Sequence, residues 1–201
     1  MANKITVLAA VFMILMMGAC KKSNSNSSST TNPLAGGTWN FVDLSSNAKL
    51  TATVSEGPIS ATVIDVTDFT TIDNSGAITF TADSMAGSGI GYTIDTTYTT
   101  YTYIGTSVDS VTTPYSTAIS PTGTSTSYQL IGSDSIYFGS GTPFSVSLYA
   151  GDTVKIEGAH FSISGNTLTL TSTINQAGNV TYNSITAPSV TQINSRITLS
   201  K

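Results

Sequence analysis

The sequence has few of the residues that build disulfides, metal sites and charged surfaces. It contains one cysteine, one histidine and one tryptophan in 201 residues, and only 9% of its residues are charged. A single cysteine excludes an internal disulfide. One histidine without a second imidazole or thiol excludes the usual zinc, copper and iron ligand sets. We therefore expect a fold that stands on packing and strand pairing alone, with no metal and no cofactor.

Basic residues are also scarce. Seven Lys and Arg stand against eleven Asp and Glu, which gives a formal net charge of −4 at pH 7. Nucleic-acid binding requires a basic face that neutralises phosphates, and a polybasic membrane patch requires clustered Lys and Arg. The composition therefore excludes nucleic acid as a partner, and it places solubility on Ser, Thr and Asn.

Catalytic constellations are missing from the sequence. His160 is the only candidate for the base of a Ser-His-Asp triad, and no Gly-x-Ser-x-Gly elbow accompanies it. Asp65 and Asp68 lie three residues apart in a predicted strand, so they point to opposite faces and do not form a carboxylate pair. We interpret His160 as a strand or turn histidine and expect no enzymatic activity.

The N-terminus is typical of an export signal. Lys4 precedes an apolar run over residues 5–17 that is too short for a permanent membrane span. The exit, Met17-Gly18-Ala19-Cys20, resembles a bacterial lipobox. The resemblance implies cleavage after residue 19 and acylation of Cys20 on its sulfur and amine, which anchors the chain to a membrane. The alternative is an ordinary secretory peptide with a cysteine near its end.

Two further segments follow this signal. Residues 21–32 contain no apolar residue and predict a flexible Ser/Asn/Thr linker of about 17–21 Å r.m.s. span. Residues 33–201 are enough for one domain. Lys21 is not the Asp that resembles an inner-membrane retention signal. We therefore expect a lipid-anchored protein of the cell envelope, on the outer membrane and facing the periplasm.

The domain is predicted to be all-β. Thr, Val, Ile and Tyr dominate, and turn residues recur at short intervals. Asp73-Asn74-Ser75-Gly76 predicts a hairpin turn, and so does Ser164-Gly165-Asn166-Thr167. The predicted strands are 37–44, 49–55, 60–72, 77–82, 87–107 (a strand pair or one bent strand), 127–131, 135–139, one that includes Phe144, 153–157, 160–164, 166–173, 179–185 and 190–199. Residues 109–126 predict a long loop or an edge hairpin.

Short motifs are similar to those of lipocalins. Gly37-Thr38-Trp39 matches the Gly-x-Trp that opens lipocalin-like barrels, and Arg196, the only arginine, lies in the last predicted strand. Residues 161–171 look like the late hairpin of lipocalin-like domains in envelope lipoproteins. The resemblance implies an antiparallel meander closed into a lipocalin-like β-barrel of about 8–10 strands, in which Trp39 packs against Arg196 and closes one end. The alternative is that Trp39 is simply core and Arg196 is solvated.

Four tyrosines lie close together in the sequence, at Tyr92, Tyr98, Tyr101 and Tyr103. Their amphipathic rings are suited to lining a ligand cavity or to stacking on a sugar. The alternative, which we prefer because aromatic side chains pack more often than they bind, is strand propensity and cross-strand packing. Strand alternation places Tyr92 and Tyr98 on one face and Tyr101 and Tyr103 on the other.

These patterns predict binding of a small apolar or amphipathic molecule in the mouth of the barrel. Eight-stranded barrels have room for side chains or for one small ligand. The alternative from another class is a β-sandwich adhesion, carbohydrate-binding or structural envelope module, which predicts Greek-key connections and an exposed aromatic face.

Overall fold

The chain forms only strands and turns over the residues that the computed structural model describes, 32–56, 59–139, 144–149, 152–182 and 185–201. The strands are β1 (Gly37–Glu56), β2 (Ile59–Thr70), β3 (Ile72–Phe80), β4 (Ser84–Ile104), β5 (Ser107–Ile131), β6 (Ser135–Phe138), β7 (Ser145–Tyr149), β8 (Asp152–Lys155), β9 (Gly158–Ser164), β10 (Thr167–Tyr182) and β11 (Ile185–Ser200). No helix in this described part is long and apolar enough to cross a membrane. The predicted signal peptide, Cys20 and the linker up to residue 31 lie outside the described residues.

Nine strands form one antiparallel sheet that returns on itself as a ring. Starting from β1, the ring passes through β2 and β3, then β4, β5, β6, β9, β10 and β11, and β11 pairs again with β1. The last pairing runs from Asn40 opposite Ser200 to Ala52 opposite Ser189. β7 and β8 form a separate two-stranded sheet. The predicted all-β antiparallel meander is confirmed, and the Greek-key sandwich is not the arrangement found.

Two long strands were each predicted as two short ones. The predicted strands 37–44 and 49–55 are both parts of β1, and 166–173 and 179–185 fall largely within β10. Ser45, Ser46 and Asn47 lie between the two predicted strands, and Asn in particular is a poor strand former. β1 pairs with β2 on one side and β11 on the other across these residues. The ladder hydrogen bonds on both sides therefore outweigh the local propensity.

The predicted hairpin at residues 73–76 is wrong. β2 and β3 run in the same direction, and both pair antiparallel with β1, so together they occupy one strand position of the ring. Asp73 (φ 52°) and Gly76 (φ 96°) adopt positive φ, but they form a bulge instead of reversing the chain. Thr71 bridges the interruption, because the Leu44 N–H donates to Thr71 Oγ1 (2.9 Å) and the Thr71 N–H donates to Leu44 O (3.0 Å).

β4 and β5 form the longest hairpin. β4 is one long bent strand, which was one of the two arrangements expected for residues 87–107, and its register shifts lie between Gly87 and Tyr92. The predicted loop or edge hairpin at 109–126 is part of β5, which pairs with β4 along most of its length. β6 pairs with β5 only from Tyr128 onward. Within the described part of the chain, residues 107–127 of β5 therefore have a neighbouring strand on one side only.

The core fills one end of the ring. We define the closed end as the end where β1 begins and β11 ends, and the hairpin end as the end where β1, β4 and β10 end. The largest fully buried side chains include Leu34, Trp39, Phe80, Met85, Phe138, Leu168 and Leu170. The connection between β6 and β9 adds buried Phe144, whose ring centroid lies 5.1 Å from that of Phe41 on β1. Phe144 therefore packs against the inner face of β1.

Candidate functional site

A cavity of about 1100 Å³ opens beside β10. β9 pairs with β10 only from Ser164 opposite Thr167 to His160 opposite Thr171. Beyond Thr171, the described part of β10 pairs with β11 alone. The wall of the ring is therefore interrupted beyond the start of β9, and the cavity occupies this interruption.

The cavity joins the outer surface to the interior of the ring. Its outer lining includes His160, Ser135 and Tyr137, which lie on the short strands β9 and β6. Its inner lining includes Leu50, Asp65, Ile174, Val180, Ser189 and Thr191. The lining thus combines apolar side chains with hydroxyl and carboxylate groups, as small-molecule sites usually do.

Asp65 lies at the inner part of this cavity. It occupies the middle of β2, opposite Leu50 on β1 and Thr100 on β4. Its side chain is only 6% exposed, and Thr100 Oγ1 donates a hydrogen bond of 2.5 Å to its Oδ1. Asp68, three residues later, is exposed, as the strand spacing predicts. The sequence did not indicate a role for Asp65, because alternation alone does not say which face of a strand is the inner one.

The outer part of the cavity carries a serine–histidine pair. His160 lies in β9, as expected, directly opposite Ser135 of β6, and its Nδ1 lies 2.9 Å from Ser135 Oγ. Ser135 Oγ also donates to Asp134 Oδ1 at 3.1 Å. His160 is exposed, and no described carboxylate hydrogen-bonds its second ring nitrogen. Among the described residues, the pair thus differs from a catalytic triad, in which a carboxylate orients the histidine.

The acidic and histidine side chains of the cavity bear on metal binding. Nowhere in the described ranges do three or more His, Cys, Asp or Glu side chains come together in a way that could hold a metal ion. His160, Asp65 and Glu157 all line the cavity, but they do not form such a group.

The four tyrosines do not form one site. Tyr92 is buried and makes an edge-on contact with Phe41, with ring centroids 5.8 Å apart, so it belongs to the core. Tyr98 is half-buried on the same face of β4, whereas Tyr101 and Tyr103 lie on the opposite face. None of the four is among the described residues that line the cavity. The described lining comes instead from β1, β2, β5, β6, β9, β10 and β11 and from residues next to them.

The partner predicted for Trp39 is also corrected. The cation over the Trp39 ring is Lys201, whose Nζ lies 4.5 Å from the ring centroid. Arg196 is exposed and lies opposite Ser45 and Thr171, well along the strand from Trp39. Gly37 has a clear reason to be glycine, because a Cβ there would lie 2.7 Å from Trp39 Nε1. The Gly-x-Trp spacing thus permits close packing of the indole on its own strand.

A hydrogen-bonded cluster fixes the entry of the chain at the closed end. Asn32 Nδ2 donates to Tyr128 Oη (2.7 Å) and to Ala82 O (3.1 Å), and Tyr128 Oη donates to Thr81 O (2.7 Å). Burial raises the pKa of Tyr128, the charge of Asp83 raises it further, and the hydrogen bond from Asn32 opposes both. Neutral Tyr128 is therefore the form that the fold favours.

A scan against protein-family models and searches of curated proteins and of solved structures found no match to this chain. The cavity and its lining therefore carry the functional argument.

Proposed function

We propose that the chain is a lipid-anchored envelope lipoprotein whose lipocalin-like barrel binds a small amphipathic molecule in the cavity beside β10. The observation that carries this proposal is the cavity itself, about 1100 Å³ in volume and continuous from His160 at the surface to Asp65 inside. Small-molecule pockets are commonly about 300–1000 Å³, so one such ligand fits.

The strand arrangement supports the lipocalin-like part of the proposal. Because β2 and β3 share one position along β1, the ring has eight strand positions. Eight-stranded antiparallel rings are just wide enough to hold one small ligand. The core occupies the closed end, so space for a ligand remains toward the hairpin end and the interruption beside β10.

The lining supports an amphipathic ligand in particular. Leu50, Ile174 and Val180 offer apolar surface, and Ser189 and Thr191 offer hydroxyl groups on the neighbouring strand. An entirely apolar molecule would remove water from these hydroxyls without replacing the hydrogen bonds. A molecule with one polar end and one apolar end satisfies both parts of the lining.

The anchor is a proposal of its own, supported by Met17-Gly18-Ala19-Cys20. Growth with labelled palmitate should label the wild-type chain and leave a Cys20→Ala variant unlabelled. The label should also follow the outer-membrane fraction after density separation. Equal labelling of both chains, or labelled protein in the inner membrane alone, contradicts the anchor or its location respectively.

Native mass spectrometry tests ligand binding. All described core residues lie within Asn32–Lys201, which is one compact unit, so the segment Ser23–Lys201 retains the whole core. This segment, exported to the periplasm and purified without detergent, should carry an adduct that disappears after organic extraction. A clean apo mass in repeated preparations contradicts ligand binding.

Two matched variants locate the adduct. Ser189→Trp places a large ring in the cavity, because Ser189 is buried and part of the lining, and should abolish the adduct. Gln192→Trp adds the same ring to the exposed face of the same strand and should leave the adduct unchanged. An adduct that survives Ser189→Trp places the ligand elsewhere on the protein.

A further inference from the structure

Asp65 sets the charge of the cavity. Among the side chains whose burial is described, it is the only buried one that carries a formal charge. A carboxylate in such a position favours the approach of a cation or a hydrogen-bond donor and opposes the approach of an anion.

The other charged side chain of the described lining is also negative. Glu157 is the second carboxylate of the lining, and like His160, three residues later in the chain, it is exposed. No lysine or arginine is among the described lining residues. An anionic head group, such as that of a fatty acid, therefore meets two carboxylates and no fixed cation.

Apolar lining lies around the carboxylate. Leu50 is the direct cross-strand neighbour of Asp65, and Ile174 and Val180 line the cavity from β10. A chain of several methylene groups lies well against such surface, and each buried methylene contributes about 0.8 kcal/mol to transfer from water in general. The affinity for a ligand should thus depend on the length of its apolar part through these contacts, and on its charge through Asp65.

We propose that the cavity takes a cationic amphiphile, an alkyl amine or quaternary ammonium compound, with its positive group toward Asp65 and its apolar part along Leu50, Ile174 and Val180. This inference rests on the proposed ligand-binding function and names the ligand class. It requires no step beyond binding. It also assigns Asp65 as the residue that selects ligands by charge.

The test compares three ten-carbon probes that differ only in their head group. Decylamine is a cation, decanol is neutral and decanoate is an anion at neutral pH. Each is titrated into the purified full chain by calorimetry, below the concentration at which it aggregates. Decylamine should bind roughly tenfold or more tightly than decanol, in line with the usual strength of a partly buried charge pair, and decanoate should bind most weakly.

Substitutions then assign the preference to a residue. Asp65→Asn keeps the shape of the side chain and removes its charge, so the affinity ratio of decylamine to decanol should fall to about one. Asp68→Asn is the matched control, because Asp68 is exposed on the other face of the same strand. It should leave the ratio unchanged. Asp65→Glu, which keeps the charge, should retain the preference, and near-UV circular dichroism shows that each variant is folded.

The outcomes distinguish failure of the charge assignment from failure of the proposed ligand binding. If decanol or decanoate binds as tightly as decylamine, or if folded Asp65→Asn keeps the decylamine preference, the charge assignment is overturned and ligand binding stands. If none of the three probes binds wild-type protein, both the inference and the proposed function are overturned. The order of the three affinities in wild-type protein is a sufficient test even if Asp65→Asn does not fold.

Discussion

The ammonium group of Lys201 lies over the ring of Trp39, 4.5 Å from its centroid, at the closed end of the ring. Trp39 is 1% exposed, and its indole N–H has no hydrogen-bond partner among the described residues. The ring is therefore held by packing and by this cation rather than by a hydrogen bond. The contact joins the start of β1 to the residue that follows β11, where the ring closes.

Loss of this cation should weaken the fold. Lys201→Met keeps the length of the aliphatic chain and removes the charge, so it should lower the free energy of unfolding by about 0.5–2 kcal/mol. Arg196→Met removes an exposed cation from β11, five residues before Lys201, and should change the free energy of unfolding by less than about 0.5 kcal/mol. Urea denaturation of both variants measures the difference. In a double-mutant cycle with Trp39→Phe, Lys201→Met should be coupled and Arg196→Met additive; the reverse result contradicts the assignment.

Gly76 should tolerate no side chain. Its φ is +96°, and a Cβ there would lie 2.4 Å from Gly89 O. Gly76→Ala should therefore cost more than about 3 kcal/mol, because a strained backbone and a backbone clash add together. Gly105→Ala is the control, since Gly105 also has positive φ but no atom within 4 Å of its added Cβ. It should cost about 1–2 kcal/mol from backbone conformation alone. If Gly76→Ala and Gly105→Ala lower the free energy of unfolding equally, the bulge can shift to accommodate the added methyl group.

Phe144 should be the residue through which the segment between β6 and β9 contributes most to the stability of the core. It is fully buried, and its ring lies 5.1 Å from that of Phe41. Phe144→Ala should lower the free energy of unfolding by about 3–5 kcal/mol, and Phe144→Leu by about 1.5 kcal/mol or less. Tyr137→Ala, at an exposed aromatic residue of β6, is the comparison. A Phe144→Ala loss no larger than the Tyr137→Ala loss would mean that the connection does not pack inside the ring.

Tyr128 should make stability fall in alkaline solution. Burial raises its pKa above the ordinary 10.0, so the neutral side chain is favoured by the folded state. Its stabilising contribution is complete below pH 10 and is lost as the pH rises through the raised value, because the unfolded chain then releases a proton that the folded chain retains. Urea denaturation across this pH range measures the slope.

A Tyr128→Phe variant separates this residue from other alkaline effects. The variant should be less stable at neutral pH by about 1 kcal/mol, because Thr81 O loses its donor and Asn32 loses an acceptor. Its stability should then fall less steeply than that of wild type above pH 10. An unchanged slope would assign the alkaline loss to another group.

Strand content and sequential pairing could be predicted from the sequence, because Thr, Val, Ile and Tyr alternate between turn residues along most of the domain. The direction of the chain at residues 73–76 could not be predicted from the sequence. Positive-φ residues occur both in hairpin turns and in bulges, and only the presence of β1 alongside both β2 and β3 decides between them.

The cavity was less accessible to prediction than the fold. It depends on where the pairing of β9 with β10 ends, at His160 and Thr171. Asp65 is a single acid in a long strand, and its inward position follows from its register with Leu50 rather than from any motif. The clustering of the tyrosines in the sequence, by contrast, favoured a ligand site, although packing against Phe41 accounts for Tyr92.

The open edge of β5 has a consequence for association between molecules. Ile104 and Ser107 close a two-residue turn, so even-numbered residues in this part of β5 direct their N–H groups away from β4. Pro114 is one of these positions, and it has no N–H to offer an incoming strand. Pro121 interrupts the same edge further on, beside a register shift. Among the described residues, the open edge of β5 therefore offers no unbroken run of N–H donors to a second chain, which is a usual way for an exposed strand edge to resist pairing between molecules.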